Sequence, residues 1–203
     1  MVYSINDINL FGKNIGIKIN DANNLSVEDN IISSSGGVAA TAGIIFDHTV
    51  NCETHCNVIT GAGTTLTLEN QMVGVDVLSS TGGRYICNSI NNATKGIRFA
   101  STCTDTDLRS TQFGNLGVGL YLSQLADFGV QNTQEHHGNR WNGSYDEFGA
   151  VNNGMGDNVS LSKFIVHTET GLFHPPSIST PFSTTPWFEI EEAESYSFRV
   201  PKD

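Results

Sequence analysis

Positively charged residues are scarce in this sequence. Only 10 of its 203 residues are Lys or Arg, against 21 Asp or Glu, and the formal net charge is −11. The basic residues are scattered along the chain, whereas proteins that bind a phosphate backbone cluster their Lys and Arg. We therefore expect no nucleic-acid partner.

Long apolar runs are also missing. No segment approaches the ~20 apolar residues of a membrane-spanning helix, so we expect no membrane span. The first residues, 1–6, have neither the basic start nor the apolar segment of a signal peptide. Two interpretations follow: the protein is cytoplasmic, or the chain is a fragment of a longer extracellular or cell-surface protein that lacks its signal peptide. We favour the fragment, because the repeat begins almost at residue 1.

Gly, Asn, Ser and Thr take the place of charged and apolar residues. Charged residues make up 15% of the chain and hydrophobic residues 38%, both below the usual globular share. Gly and Asn tolerate the positive φ angles that tight turns need. The composition therefore favours many short strands joined by many turns.

A motif of Gly, aliphatic, any residue and large apolar residue occurs five times. The copies begin at Gly16, Gly43, Gly74, Gly96 and Gly119, with spacings of 27, 31, 22 and 23 residues. Alternation within each copy indicates a half-buried strand. Stacked copies would bury two columns of side chains, namely Ile17, Ile44, Val75, Ile97 and Leu120, and then Ile19, Phe46, Val77, Phe99 and Leu122.

A second motif follows the first. Asn30, Asn57 and Asn88 each lie fourteen residues after their glycine, and looser copies occur at Gln112 and Asn139. Two strands at a fixed offset within each period predict one coil per period. We expect an all-β, right-handed parallel β-helix of about five coils, with the asparagines bonded from coil to coil at a corner.

The long periods must place their extra residues in loops, for which 61–65 is one candidate, and residues 65–68 could add a third strand in their coil. We assign residues 1–141 to the coils and 142–203 to an irregular C-terminal cap or linker. Within that cap, the Gly- and Asn-rich stretch 144–160 predicts a loop and 161–166 a strand.

The coils resemble the right-handed parallel β-helix repeats of pectate-lyase-like proteins over about residues 14–141. The order of motifs in the tail is similar to the end of β-helix regions in large secreted surface proteins of Bacteroidota. These tail motifs are Asn139-Arg140-Trp141-Asn142-Gly143, Ser162-Lys163-Phe164-Ile165-Val166-His167, His174-Pro175-Pro176 and Trp187-Phe188. The resemblance implies an extracellular location and a solenoid fold.

The four cysteines allow three interpretations. Cys56 and Cys87 each come thirteen residues after their glycine, so they should stack in neighbouring coils within disulfide range. We favour a column of buried thiols, ahead of a Cys56–Cys87 disulfide. A zinc site at Cys52 and Cys56, beside His48 and His55, lacks a second Cys/His pair at the usual spacing.

The catalytic sets of pectate-lyase-like enzymes are not recognisable in the sequence. Asp76 and Arg98 share an outward position on adjacent coils, which predicts a surface ion pair worth under ~1 kcal/mol. Asp47 and Asp76 are the alternative, a carboxylate pair for sugar hydrolysis or for Ca²⁺. No motif demands that ion, so we predict no cofactor.

His136 and His137, with Glu135 beside them, are a candidate metal-binding group. Neighbouring residues on a strand point to opposite faces, so two adjacent histidines rarely share one ion. We therefore predict no metal site.

Two functions remain. We favour a non-catalytic structural or adhesive module of a secreted surface protein, and we do not expect an enzyme. The alternative is a carbohydrate-active or glycan-binding domain for polysaccharide or other surface glycans, in which an outward Tyr121 and Trp141 stack on sugar rings beside Asp47, Asp76 and Arg98. Surface exposure of Tyr121 and end-capping of the core by Trp141 are the structural explanations for these two aromatics.

Overall fold

The protein is an all-β parallel solenoid of about six turns. The computed structural model describes residues 2–3, 7–11, 14–35, 41–67, 71–129, 133–155, 158–166 and 172–191. Leu68 and His167, which the sequence analysis singled out, lie outside these ranges. No helix in the described residues is long and apolar enough to cross a membrane.

Three parallel sheets run along the stack, with five strands in sheet A, six in sheet B and seven in sheet C among the described residues. Sheet A contains β1 (Val2–Tyr3), β4 (Ser26–Glu28), β7 (Glu53–His55), β10 (Arg84–Ile86) and β13 (Asp107–Arg109). Sheet B contains β2 (Ile8–Leu10), β5 (Ile31–Ser34), β8 (Val58–Thr60), β11 (Ser89–Asn91), β14 (Gln112–Phe113) and β17 (Arg140–Trp141).

Sheet C is the longest, and a short sheet D stands at the C-terminal end. Sheet C contains β3 (Ile15–Asn20), β6 (Ala42–Asp47), β9 (Val73–Leu78), β12 (Ala93–Ala100), β15 (Leu116–Leu122), β18 (Tyr145–Asn152) and β20 (Ile178–Ser179). Sheet D contains β16 (Gln134–Glu135), β19 (Phe164–Val166) and β21 (Phe188–Ile190). The handedness of the coil stays a prediction.

The predicted inner columns of sheet C are confirmed. Strand pairing places Ile17, Ile44, Val75, Ile97 and Leu120 in register, and likewise Ile19, Phe46, Val77, Phe99 and Leu122. These side chains are almost fully buried and belong to one continuous core. Each contributes roughly 1.5–3 kcal/mol through removal from water.

The motif glycines form a column of their own, in which the lack of a side chain lets neighbouring coils approach closely. A Cβ atom on Gly96 would lie 2.4 Å from the carbonyl oxygen of Gly119, and one on Gly43 would lie 2.7 Å from that of Gly74. Real Cβ contacts are essentially never that short. Any larger residue would therefore force neighbouring coils apart.

Sheet A supplies a third strand to the first five coils, and the two-motif pattern did not predict it. Its inward side chains are Val27, Thr54, Tyr85 and Leu108, all fully buried and in register. Because this column changes from aliphatic to hydroxyl-bearing to aromatic side chains, no single residue type recurs along it to mark the strand in the sequence. The third strand predicted at 65–68 is wrong for the described residues 65–67, which form a loop.

The number of turns also exceeds the predicted five. Gly149 begins a sixth copy of the glycine motif in β18, but Ala150 and Asn152 replace its large apolar residues and hide the repeat. The loop predicted for 144–160 is therefore wrong over β18, which continues the pairing of sheet C. This pairing runs past residue 141, where the sequence analysis ends the coils and begins the cap.

Candidate functional site

The outer face of sheet C carries most of the side chains that the sequence singled out. Asp76, Arg98 and Tyr121 occupy one register column on β9, β12 and β15. Asp47 ends the neighbouring strand β6, in register with Leu78. These four residues define what we call the outer polar row.

Asp76 and Arg98 form a two-point ion pair across adjacent coils. Arg98 donates from Nε to Asp76 Oδ1 at 2.7 Å and from Nη2 to Oδ2 at 2.5 Å. The Asp76 side chain is only 7% exposed and that of Arg98 is 34% exposed. The predicted pairing is present, but the carboxylate is buried rather than solvated.

Asp47 is engaged in the same way by its own neighbours. Its Oδ1 lies 2.7 Å from His48 Nδ1, and its Oδ2 lies 3.7 Å from Lys18 Nζ on the adjacent coil. The carboxylate is 21% exposed. Both oxygens of Asp47, like those of Asp76, therefore already face a donor or cation of the protein.

Tyr121 ends the row as a half-buried ring. The Lys95 Nζ lies 5.3 Å from the ring centroid, and Asn153 Nδ2 donates to the phenolic oxygen at 2.8 Å. Burial lowers the pKa of Lys95, and the neighbouring positive charge of Arg98 lowers it further. Arg98 of the row and Lys95 beside it thus place two cations next to an aromatic ring.

Trp141 does not belong to this surface, and the predicted sugar contact is wrong for it. The indole is 4% exposed, stacks on Phe113 at 5.1 Å between ring centroids, and donates from Nε1 to the Gly149 carbonyl at 2.9 Å. It points inward because it occupies the inner column of sheet B, in register with Phe113. The structural explanation, packing in the core, is the correct one.

The cysteines divide into one bonded pair and two thiols. Cys56 and Cys87 form a disulfide between adjacent coils, with Cα atoms 4.4 Å apart. The preference for buried thiols is wrong for this pair, since Cys87 is exposed and Cys56 half-buried. Both have positive φ angles, 51° and 61°, which turn them out of the strand alternation just before sheet B. A zinc site using Cys56 is excluded by the bond.

Cys52 and Cys103 are free and buried. Their thiols point at backbone carbonyls, with Cys52 Sγ 3.5 Å from the Ala22 oxygen and Cys103 Sγ 3.6 Å from the Ala100 oxygen. Burial raises the pKa of the Cys103 thiol to about 11. Both residues are core side chains, and the raised pKa of Cys103 leaves that thiol with little thiolate character.

The predicted asparagine ladder runs along the corner between sheets A and B. Asn57 Oδ1 accepts from the Asn30 backbone N–H at 3.0 Å and from Asn30 Nδ2 at 2.8 Å. Asn88 Oδ1 accepts from the backbone N–H and from Nδ2 of Asn57, both at 3.1 Å. Further on, Asn139 Oδ1 accepts from the Thr111 N–H at 3.1 Å. The side chains of Asn30, Asn57, Asn88, Thr111 and Asn139 are all buried.

A second charged row lies on the outer face of sheet A. Arg84 is in register with Glu53 and Asp107, and its guanidinium lies 3.4 Å from the first and 3.9 Å from the second. Asp107 also lies 3.3 Å from His137 Nδ1. Sequence reasoning missed this row because it missed the strands of sheet A.

A cavity of about 90 Å³ lies beyond this row, between sheets B and D. Its lining includes His136, His137, Trp141, Phe164 and Phe173. Burial lowers the pKa of His137, and the negative charge of Asp107 partly offsets that effect. The cavity is small and mainly apolar, with its imidazoles at one side.

Comparison with known proteins gives no match. No protein family, no curated protein and no solved structure matches the chain. The solenoid fold therefore rests on the strand pairing alone, and the resemblance to pectate-lyase-like and Bacteroidota surface proteins stays a prediction.

Proposed function

We propose that the chain is a rigid, non-catalytic structural or adhesive module of an extracellular surface protein. The observation that carries this proposal is the continuity of the stack, in which one hydrophobic cluster extends from Leu10 to Phe188 through all the turns. In such a solenoid each coil is supported by its neighbours. The asparagine ladder and the Cys56–Cys87 bond support it at one corner.

The outer polar row fits a cohesive role. Asp76 and Asp47, the two carboxylates proposed for sugar hydrolysis, face Arg98, Lys18 and His48. Both carboxylates therefore already have partners within the protein, on their own or an adjacent coil. We infer that these residues join coils to one another.

We also propose that the module is extracellular, within a secreted surface protein. Its coil is proposed to be right-handed, as in pectate-lyase-like proteins. A partly exposed disulfide persists in oxidising compartments and is reduced in the cytosol. The net charge of −11 is also compatible with a soluble surface module.

Incubation with a panel of polyuronides and neutral polysaccharides, with Ca²⁺ present, tests the proposal. We expect no new reducing ends and no unsaturated uronate products. Asp76→Asn should lower only the unfolding temperature, and Glu53→Gln on the outer face of sheet A is the matched control. Turnover by the native chain that is lost in Asp76→Asn would contradict the proposal.

Glycan binding without turnover is the second candidate, and the outer polar row favours it. Arg98 and Tyr121 lie on adjacent coils, about 4.8 Å apart along the stack, and Lys95 stands beside them. Two cations next to a half-buried ring would suit an acidic glycan laid along the stack. A glycan array should then show binding that Tyr121→Ala and Arg98→Gln abolish. Lys163→Gln, just before β19 of sheet D, should retain it.

A further inference from the structure

Sheet D brings Glu191 close to Glu135 and His136, two neighbouring residues from which it is far apart in the sequence. Glu191 comes 55 residues after His136, yet His136 Nε2 lies 3.4 Å from Glu191 Oε2. With Glu135, these residues offer one ligand atom each, and the three atoms lie within 4.8 Å of one another. The group is at the surface: both glutamates are exposed and His136 is partly buried.

Backbone pairing holds the three residues in place. The His136 N–H donates to the Ile165 carbonyl at 3.0 Å, and the Glu191 N–H donates to the Val166 carbonyl at 3.0 Å. Strand β19 therefore lies between β16 and β21 and fixes their separation. The proximity is a product of the fold rather than of flexible side chains alone.

The backbone at His136 allows its side chain to share an ion with that of the adjacent Glu135. Extended neighbours do this poorly, because their side chains alternate between faces. His136 has a φ of 50° and follows the last residue of β16, so the alternation ends there. Glu135 and His136 consequently direct their ligand atoms toward the same point, while His137 turns to Asp107.

We propose that Glu135, His136 and Glu191 bind a divalent transition-metal ion of the zinc type. Imidazole nitrogen and carboxylate oxygen are both zinc donors, with bonds of about 2.0–2.2 Å. A tetrahedron with such bonds has edges of roughly 3.3–3.6 Å, which is the spacing already present between His136 and Glu191. A fourth position stays open to water.

The local charge favours a cation. Two carboxylates face a single imidazole, and the nearby Lys163 is engaged by Glu189 at 2.6 Å. An ion here would join β16 to the end of β21 and so fasten the last described strand to the stack. Because metal binds the folded arrangement, it should stabilise that arrangement by mass action.

Titration calorimetry of the metal-free full chain with ZnCl₂ tests the site, and Co²⁺ absorption identifies the ligands. We expect one ion per chain, tetrahedral Co²⁺ bands, and an unfolding temperature that rises with zinc. His136→Ala and Glu191→Gln should each weaken zinc binding about tenfold or more. His48→Ala, which removes another surface histidine beside a carboxylate, is the matched control and should bind zinc as the native chain does.

Three results would overturn the proposal. One is the absence of zinc binding below millimolar concentration. Another is unchanged zinc affinity in Glu191→Gln. This variant changes an exposed side chain at the end of the described residues, and circular dichroism would check that it folds. The third is a thiolate-to-cobalt charge-transfer band, which would place the ion at the cysteines.

Discussion

Arg98 reaches across one coil boundary and closes a two-point ion pair with the buried carboxylate of Asp76. The sequence placed these residues side by side but predicted only a solvated pair. Burial of the carboxylate changes the energetics, because a buried charge that loses its partner is left without solvent. The pair therefore ties two coils together on the outer face of sheet C.

A double-mutant cycle measures this pair. We expect Asp76→Ala and Arg98→Ala to show a coupling energy above about 1 kcal/mol. The matched pair is Glu53 and Arg84, which are more exposed and 3.4 Å apart and should give less than about 1 kcal/mol. Chemical denaturation supplies the free energies, and equal coupling in both pairs would show that the burial of Asp76 has no effect.

The asparagine ladder should be a major source of stability. Asn57→Ala removes the acceptor for the buried Asn30 N–H and the donor to the Val27 carbonyl. Unsatisfied buried groups of this kind cost about 2–4 kcal/mol together. Asn142→Ala is the control. Asn142 is exposed and directly follows β17 of sheet B, so its replacement should leave the unfolding free energy nearly unchanged. Equal losses in the two variants would argue against the ladder.

The glycine column predicts a steric defect. Gly96→Ala places a methyl group 2.4 Å from the Gly119 carbonyl oxygen, and we expect a loss of more than about 3 kcal/mol or failure to fold. Gly138→Ala is the control, because its Cβ would have no contact below 3.7 Å although φ is 69°. Its left-handed backbone should cost only about 1–2 kcal/mol. Urea denaturation compares the two, and a similar cost would contradict the close-approach argument.

The disulfide leads to a prediction about thiol counts and stability. Native, non-reduced protein should react slowly with a thiol reagent, since Cys52 and Cys103 are buried. Denaturation without reductant should expose two thiols, and reduction should expose all four cysteines. Replacing both Cys56 and Cys87 by Ser should cost about 3–4 kcal/mol for a bond that closes a 31-residue separation. Four reactive thiols without reductant would exclude the bond.

Stability should decline in mild acid because of His137. Burial lowers its pKa from the usual 6.5, so on acidification the unfolded chain takes up a proton before the folded chain does. The unfolding free energy is therefore unaffected by His137 above pH 6.5 and falls as the pH drops below that value.

Urea denaturation at pH about 7.5 and about 5.5 checks the effect. The native protein should lose more stability between these conditions than His137→Gln, which cannot titrate. His174→Gln serves as the control. The His174 imidazole lies 2.8 Å from the adjacent Pro175 carbonyl oxygen and packs against the Phe188 ring. An equal loss in the native protein and in His137→Gln would assign the acid sensitivity to other groups.

The sequence by itself determined the periodic part of this protein. The glycine and asparagine motifs predicted the parallel stack, the inner columns of sheet C, the corner ladder and the adjacency of Cys56 to Cys87. These features recur because the same steric or hydrogen-bonding requirement returns in every coil, so one residue type satisfies it each time.

Only the tertiary structure decided the features that do not recur. The motifs did not predict sheet A because its inward side chains differ in type, from Val27 to Tyr85. The position of Trp141 inside the core depends on the register of a single strand. The cluster of His136 with Glu191 depends on pairing between strands that are far apart in the chain. Such contacts arise from long-range strand register and from one left-handed residue, neither of which a local pattern of side chains can encode.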